Sequence, residues 1–392
     1  MNARGPLLIC SRPFPPKIGG SSILSRNLWG VWPAKDLVVL SQMYPDENVD
    51  PKLVLPEVQI IYAPTWWSRH PRLISLCAPL LAWHIRREII RVARQCRPRA
   101  LWVNWPPSQY LLGAWLASKA LKLPLYVHMH DMWSTAVTSP RSMMDPLVSR
   151  LLQGRILRDA RRVFAITEEA AEHFRAKFGV DSYVLKHSLP DSDLPVEQGL
   201  ANRETVSPVV HFAGYIFAVM NFDAVLNLVK ALDLCQSAIT LDGYTFNPEE
   251  IKAMGIQGSR VSLRTASKME VMSAQRKSAI LFLPLAFQSS HPDEIRTVFP
   301  TKLLEYFVSG RPILVHAPAD SWASRSARKY GWGEVVDQPD PQLLAQAIDA
   351  LLKDEPRQQA LVAAAYEEAR RRLSSNVARE LRQELVRLEK EA

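Results

Sequence analysis

The sequence predicts an α/β protein made of two Rossmann-like domains that face each other across a cleft. Its 392 residues are too many for one hydrophobic core. Short apolar runs typical of buried parallel strands alternate with helical patterns in both halves. Between the halves, residues 191–208 combine prolines with small polar residues, a composition typical of a linker. We therefore expect domains at residues 1–190 and 209–374.

The first half contains seven candidate strands, each followed by a helical pattern or a loop. In order, they are residues 6–10, 37–40, 58–62, 100–103, 125–129, 163–167 and 183–185. The predicted helices begin near residue 22 and otherwise cover residues 80–92, 110–121, 143–159 and 168–178. This alternation predicts a parallel sheet covered by helices.

The second half repeats the pattern. Its predicted strands are residues 209–212, 238–241, 261–263, 280–283 and 313–315, and its helices are residues 221–232, 270–276, 301–308 and most of the chain beyond 341. Open parallel sheets bind ligands at the carboxyl ends of their strands, so polar residues at those ends are candidate site residues.

Composition narrows the class of protein. No uncharged apolar stretch is long enough to span a bilayer, and the N-terminus lacks a signal peptide's order of residues, so we expect a cytoplasmic protein. The four cysteines are scattered without a CxxC pair, which argues against a zinc site or a disulfide framework. We therefore expect no metal.

Positive charge is concentrated in the first half. Residues 1–196 hold 25 Lys and Arg against 15 Asp and Glu, whereas residues 197–392 hold 23 against 24. Eight arginines lie between residues 62 and 99, close to several tryptophans. This arrangement is typical of a helix at the surface of an anionic membrane, and the candidate membrane-facing residues are Trp66, Trp67, Arg69, Arg86 and Arg87. The alternative is a helix packed on the sheet with solvated arginines. Tryptophan and arginine can also bind single-stranded nucleic acid, but no recognised nucleic-acid-binding module surrounds these residues.

The most informative stretch is residues 299–315. Pro300 and Thr301 suit a helix start, Gly310 suits its end, and an apolar strand follows. Lys302 and Glu305 lie in the first turn, where a helix N-terminus favours anions such as phosphate. The alternative is an amphipathic helix whose Lys and Glu form a surface pair.

Two further sites follow predicted strands. Gly19 and Gly20 lie in a strand-to-helix turn, where glycines let backbone N–H groups approach a phosphate. The alternative interpretation of the two glycines is a tight turn that binds no ligand. His130 and Asp131 directly follow the strand at residues 125–129, at the edge where ligands bind.

Together, Pro-Thr-Lys-Leu-Leu-Glu-Tyr with Ser-Gly-Arg-Pro-Ile-Leu, the double glycine and the His-Asp pair resemble the GT-B glycosyltransferases, especially the large retaining family four. The resemblance implies that residues 1–190 form the acceptor-side domain, that residues 209–374 bind the nucleotide sugar, and that a helix at 375–392 packs back on the first domain. It implies catalytic contacts to the sugar or acceptor from His130 and Asp131. It implies donor contacts from Gly19, Gly20, Tyr215, Arg296, Thr301, Lys302 and Glu305, with Glu305 on the ribose hydroxyls.

The pattern departs from the family at two places. The first of the two glutamates usual in the family falls on Thr297, and the loop after Gly214 lacks the usual Arg and Lys.

We expect a metal-independent glycosyltransferase that needs no cofactor. It moves a sugar from a nucleoside-diphosphate sugar to a lipid-linked or polysaccharide acceptor, with retention, in bacterial-type surface polysaccharide assembly, and it is peripheral on the inner face of the plasma membrane. The alternatives are a nucleotide-sugar epimerase of the same fold and a catalytically silent membrane-associated scaffold.

Overall fold

The computed structural model describes residues 5–17, 19–43, 48–55, 57–63, 78–105, 107–132, 145–195 and 206–391. It divides into two compact units. Unit 1 comprises Met1–Ser188 together with Ser374–Ala392, and unit 2 comprises Leu189–Leu373.

Unit 1 is built on a seven-stranded parallel sheet. Its strands are β1 (Leu7–Cys10), β2 (Leu37–Ser41), β3 (Gln59–Tyr62), β4 (Ala100–Trp105), β5 (Leu125–Met129), β6 (Arg162–Ala165) and β7 (Ser182–Val184), in the order β3-β2-β1-β4-β5-β6-β7. The helices α1 (Gly20–Trp29), α2 (Ala78–Cys96), α3 (Ser108–Leu121), α4 (Asp145–Asp159) and α5 (Glu168–Phe178) connect them. Every residue of β1, β2, β4 and β5 is buried, as expected for a sheet covered on both faces.

Unit 2 contains a six-stranded parallel sheet. Its strands are β8 (Ser207–Ala213), β9 (Thr240–Tyr244), β10 (Val261–Arg264), β11 (Ser278–Pro284), β12 (Ile313–His316) and β13 (Glu334–Val336), in the order β10-β9-β8-β11-β12-β13. Its helices are α6 (Phe222–Leu234), α7 (Pro248–Ala253), α8 (Lys268–Lys277), α9 (Pro292–Thr297), α10 (Leu303–Tyr306), α11 (Trp322–Tyr330), α12 (Pro341–Lys353) and α13 (Glu355–Arg371). Each sheet reverses its strand order beside its first strand, which is the topology of a Rossmann-like domain.

The last helix, α14 (Ser374–Lys390), belongs to unit 1. Val377, Leu381 and Leu385 pack in the same hydrophobic cluster as Leu7 and Ile9 of β1. The intervening residues of β1 point to the opposite face, because side chains alternate along a strand. There they join a second cluster, which includes the apolar side of α2. Unit 1 thus has one core on each face of its sheet.

Two sequence predictions need correction. The predicted helix at residues 301–308 is only the short α10, flanked by hydrogen-bonded turns, although Gly310 does adopt the left-handed conformation (φ 72°) expected at its end. The strand expected at residues 238–241 begins at Thr240 and runs to Tyr244. No helix in the described ranges is long and apolar enough to cross a membrane.

Candidate functional site

In unit 1, His130 and Asp131 directly follow β5. The backbone N–H of His130 donates to the carbonyl of Trp105 at the end of β4 (3.2 Å), so both residues lie at the carboxyl edge of the sheet. His128 precedes them by two residues and therefore points to the same face as His130. The rings of His128 and His130 are 4.1 Å apart between centroids.

A third histidine extends this group. The ring of His187 stacks on His130 at 5.4 Å with an interplanar angle of 30°, and all three histidines are buried. Neither ring nitrogen of His130 has a hydrogen-bond partner among the described residues. The three rings border a small cavity, whose other lining residues include Leu24, Leu28, Trp29, Asn104 and Lys186. Two polar ring atoms of His130 are thus available in a pocket of mixed polar and apolar lining.

Burial sets the charge of these groups. It lowers the pKa of His130 to about 4, and the pKa of His128 falls well below its usual value because of burial and its two neighbouring histidines. Burial also raises the pKa of Asp131 to about 6. At neutral pH, His130 is therefore an uncharged hydrogen-bonding ring, and Asp131 is an ionised carboxylate that is easily protonated. This combination suits contacts to sugar hydroxyls.

Gly19 directly precedes α1, and Gly20 is the first residue of this helix. Gly19 has φ 150°, a conformation that L side chains rarely adopt, and a Cβ built on either glycine would meet nothing within 4 Å. Helix α1 has no side-chain cap and no acidic residue in its first turn. The structure therefore places the two glycines at an exposed helix start within unit 1.

In unit 2, the motif around α10 presents a carboxylate between two lysines. The Nζ atom of Lys302 lies 3.4 Å from Oε2 of Glu305, and the Nζ atom of Lys268 lies 3.9 Å from its Oε1. The Glu305 backbone is fixed by Gln275, whose side-chain amide donates to its carbonyl at 3.0 Å. Thr301 is exposed at the beginning of the motif. Lys302 and Glu305 thus form the ion pair that the sequence analysis gave as the alternative. The Glu305 side chain remains 30% exposed in this pair.

Beside this pair lies a charged network that the sequence analysis missed. Arg264, at the end of β10, donates to the Asp242 carboxylate at 2.7 Å, and its guanidinium lies 4.8 Å from the centre of the Tyr244 ring. Burial, together with the positive charges of Lys302 and Arg264, lowers the pKa of the adjacent His211 to about 4. This end of the sheet therefore carries a positive potential. His130 was selected because it directly follows a predicted strand, and the same criterion would have selected Arg264 after the predicted strand at residues 261–263.

The remaining predicted donor residues lie elsewhere in unit 2. Tyr215 follows β8 and is half exposed. Arg296 is on α9, and no hydrogen bond or ion pair in the described part of the chain connects it to Lys302 or Glu305. Thr297 donates its hydroxyl to the carbonyl of Asp293 at 2.6 Å, within its own helix. Thr297 thus donates its proton within its own helix, and it lacks the negative charge of the glutamate usual at this place in the family.

The predicted membrane-facing residues are only partly described. Trp66, Trp67 and Arg69 lie outside the described residues. On α2, Arg87 is exposed, and Arg86 is half-buried with its guanidinium 4.4 Å from the centre of the Trp83 ring. The inner side of α2 is buried in the core, which agrees with a helix packed on the sheet. Leu80 and Trp83 remain 66% and 52% exposed, which is unusual for large apolar side chains.

In the described part of the chain, no three His, Cys, Asp or Glu side chains are grouped so that they could hold a metal ion. Cys10, Cys96 and Cys235 are free thiols.

Several solved structures have the same fold as this chain. HepE from Anabaena, solved in complex with UDP and glucose, is 15% identical with a TM-score of 0.67, over 98% of this chain and 100% of HepE. Sucrose-phosphate synthase from Thermosynechococcus elongatus is 14% identical with a TM-score of 0.69, over 99% and 100%. The lipopolysaccharide outer core galactosyltransferase WaaB is 14% identical with a TM-score of 0.68, over 97% and 99%. No curated protein matches the chain by sequence.

The two Rossmann-like parallel sheets and these structural similarities give the chain the GT-B fold, as the sequence predicted. Residues 36–185 match the glycosyl transferase 4-like domain family. This match lies within unit 1, and the chain as a whole has the fold of the GT-B class.

Proposed function

We propose that the protein transfers a sugar, with retention and without a metal, from a nucleoside-diphosphate sugar to a hydroxyl of a lipid-linked or polysaccharide acceptor. The observation that carries the proposal is the Glu305 carboxylate held between Lys268 and Lys302 at the ligand-binding end of the second sheet.

Glu305 suits the ribose of the donor. A carboxylate accepts hydrogen bonds from two neighbouring hydroxyls, and each such bond to a charged group contributes about 1.5–3 kcal/mol. The partly exposed carboxylate needs no rearrangement of the backbone, because Gln275 already anchors that segment. The presence of UDP in the HepE structure supports a nucleotide of this kind.

The cations near Glu305 suit the leaving group. During transfer, the bond between the anomeric carbon and the phosphate oxygen breaks, and negative charge grows on the diphosphate. Lys302, Lys268 and Arg264 supply positive charges that stabilise this charge more in the transition state than in the bound donor. They take the place of the Arg and Lys missing after Gly214.

In unit 1, His130 and Asp131 suit the sugar and the acceptor. Neutral His130 can both donate and accept a hydrogen bond, and ionised Asp131 can orient an acceptor hydroxyl by accepting its proton in a hydrogen bond. In a front-face substitution, the acceptor oxygen bonds to the anomeric carbon, and its proton passes to the departing phosphate. Retention follows because attack and departure share one face.

The exposed end of α2 suits a membrane surface. Leu80 and Trp83 are exposed beside Arg87, and Arg91 and Arg94 are exposed further along the helix. Each basic residue near anionic lipid contributes about 1 kcal/mol. A lipid-linked acceptor would reach the protein at this surface. This agrees with a peripheral protein on the inner face of the plasma membrane that acts in surface polysaccharide assembly.

A donor screen tests the activity. The protein is incubated with UDP- and GDP-sugars and membrane-extracted acceptors, and the products are analysed by mass spectrometry. We expect an acceptor heavier by one glycosyl unit, and its loss in Glu305→Ala. Glu249→Ala is the matched control, because Glu249 forms a similar exposed pair with Lys252 at 2.8 Å on α7. Epimerised or released sugar without acceptor would instead indicate the epimerase, and no reaction with any donor would favour the silent scaffold.

Vesicle sedimentation tests the membrane site separately. We expect retention on anionic vesicles at low salt, and weaker retention when Leu80 and Trp83 are both changed to Ser. Leu234→Ser is the control, because Leu234 is 56% exposed in unit 2. Equal sedimentation of all three proteins, or none with the unaltered protein, would contradict the membrane proposal.

A further inference from the structure

Three exposed aromatic rings form a stack at the ligand-binding end of unit 2. Tyr215 lies between Phe246 and Phe217, with ring centroids 4.3 Å and 5.2 Å away and interplanar angles of 14° and 18°. The three side chains are 52%, 63% and 46% exposed. Soluble proteins rarely leave such a group uncovered unless it binds something.

The backbone builds this stack from two neighbouring strands. The N–H of Gly214, after β8, donates to the carbonyl of Tyr244 at the end of β9 (2.9 Å). Tyr215 comes one residue after this bond on one strand, and Phe246 comes two residues after it on the other. Their rings therefore emerge side by side at the carboxyl edge of the sheet, where parallel sheets bind ligands.

A side chain holds the loop in this form before any ligand arrives. The N–H of Phe217 donates to Oδ1 of Asn221 at 2.9 Å, and Nδ2 of Asn221 donates to the carbonyl of Tyr215 at 3.0 Å. The backbone segment that carries Tyr215 and Phe217 is thus held in place. A preformed aromatic surface binds a planar ring without paying for its own ordering.

The stack adjoins positive charge. Phe246 is two residues from Tyr244, whose ring contacts the guanidinium of Arg264. Arg264 and Lys302 both act electrostatically on the same buried His211. A planar aromatic surface next to cations matches a ligand that joins a planar ring to a diphosphate. A nucleoside diphosphate has both parts, whereas a bare sugar has neither and a hydrocarbon has no charged group.

We propose that the base of the donor nucleotide stacks on this surface, with the outer face of Phe246 as its main contact and the Tyr215 ring supporting Phe246 from behind. The proposal rests on the proposed function, since it assigns the base subsite of the same donor. Stacking on an aromatic side chain contributes about 1–3 kcal/mol per base and tolerates any base, because every base has an aromatic face. The subsite therefore strengthens nucleotide binding without choosing between uracil and guanine.

Calorimetric titration of the full chain with UDP, UDP-glucose, GDP and inorganic pyrophosphate tests the proposal. Phe246→Ala and Tyr215→Ala are expected to lower the affinity for UDP and GDP by about 5- to 150-fold, the range that 1–3 kcal/mol gives. Affinity for pyrophosphate, which has no base, stays unchanged. Phe246→Leu keeps an apolar side chain but removes the ring, and should lose nearly as much as Phe246→Ala. Leu234→Ala is the control for an exposed apolar change elsewhere in unit 2.

Other results would overturn the proposal in distinguishable ways. Unchanged UDP affinity in Phe246→Ala, together with its loss in Glu305→Ala, would remove the base subsite and leave the proposed function intact. A loss seen only with UDP-sugars and not with UDP would assign the stack to the sugar. A parallel loss for pyrophosphate would show that the variants disturb the charged residues, and no nucleotide binding by the unaltered protein would contradict both proposals.

Discussion

Asp131→Asn should stabilise the protein while reducing its activity. The carboxyl group lies at the end of β5, and its pKa is raised from 3.8 to about 6 because burial disfavours the charged form. No hydrogen bond or ion pair to the Asp131 side chain is found in the described part of the chain. A buried carboxylate without hydrogen-bonding partners lowers the stability of the folded protein. Such a loss of stability is expected for a residue whose role is to bind a substrate.

The size of this effect follows from linkage. Because the folded protein binds the proton more tightly than the unfolded chain, stability falls as pH rises from 3.8 to about 6 and stays lower above that. The full shift corresponds to about 3 kcal/mol at 1.36 kcal/mol per unit. Asp131 is partly exposed, so we halve this value. We expect Asp131→Asn to raise the free energy of unfolding at pH 7 by about 1–2 kcal/mol, and the gain to vanish near pH 4.

Urea unfolding followed by tryptophan fluorescence measures this change, since nine of the 11 tryptophans are in residues 1–188. Asp159→Asn is a control of opposite sign. Hydrogen bonds from Lys119 and Trp115 lower the pKa of Asp159, so its replacement should destabilise unit 1 at pH 7. Transferase activity of the unaltered protein should fall below an apparent pKa of about 6, and Asp131→Asn should be nearly inactive at every pH. A destabilised or fully active Asp131→Asn protein would refute the reasoning.

Three further predictions concern stability. The pKa values of buried His130 and His211 are both about 4, so as pH falls these histidines are protonated in the unfolded chain before they are protonated in the folded protein. Both units should therefore lose stability between about pH 6.5 and 4. A urea midpoint that does not change over that range would contradict this prediction. Arg372→Ala should cost about 1–3 kcal/mol, because it removes one of the two arginines paired with the buried Glu368 carboxylate (3.6 Å) while Arg371 keeps the other pair at 2.6 Å; an unchanged melting transition of unit 2 would rule this out. Gly113→Ala should cost about 1–3 kcal/mol, because its Cβ would lie 2.8 and 2.9 Å from atoms of α2; thermal melting of unit 1 checks it, and an unshifted midpoint would show that α2 and α3 can separate.

Much of the fold could be predicted because each domain uses one local rule many times. Buried strands such as β5 are continuous apolar runs, and His130 and Asp131 were found because they directly follow such a run. Elements with weaker patterns were missed. Strand β13 has only three residues, and α9 begins at Pro292 in a polar segment.

The site was predictable only where its residues are close in sequence. Lys302 and Glu305 lie three residues apart on one turn, whereas Lys268 reaches the same carboxylate from another helix. The stacking of His187 on His130 likewise joins segments 57 residues apart by sequence number, which no local pattern encodes. The role of α2 was ambiguous for another reason: an apolar helix face can pack on a sheet or on lipid, and only the folded core identifies the side that remains exposed.

The central claim is that unit 2 binds a nucleoside diphosphate through Glu305. The most direct test is calorimetric titration of the full chain with UDP and GDP, comparing the unaltered protein with Glu305→Ala and Glu249→Ala. Loss of one hydrogen bond to a charged group predicts a decrease of at least about tenfold for Glu305→Ala and none for Glu249→Ala. Nucleotide affinity that is equal in all three proteins, or absent from the unaltered one, would contradict the claim.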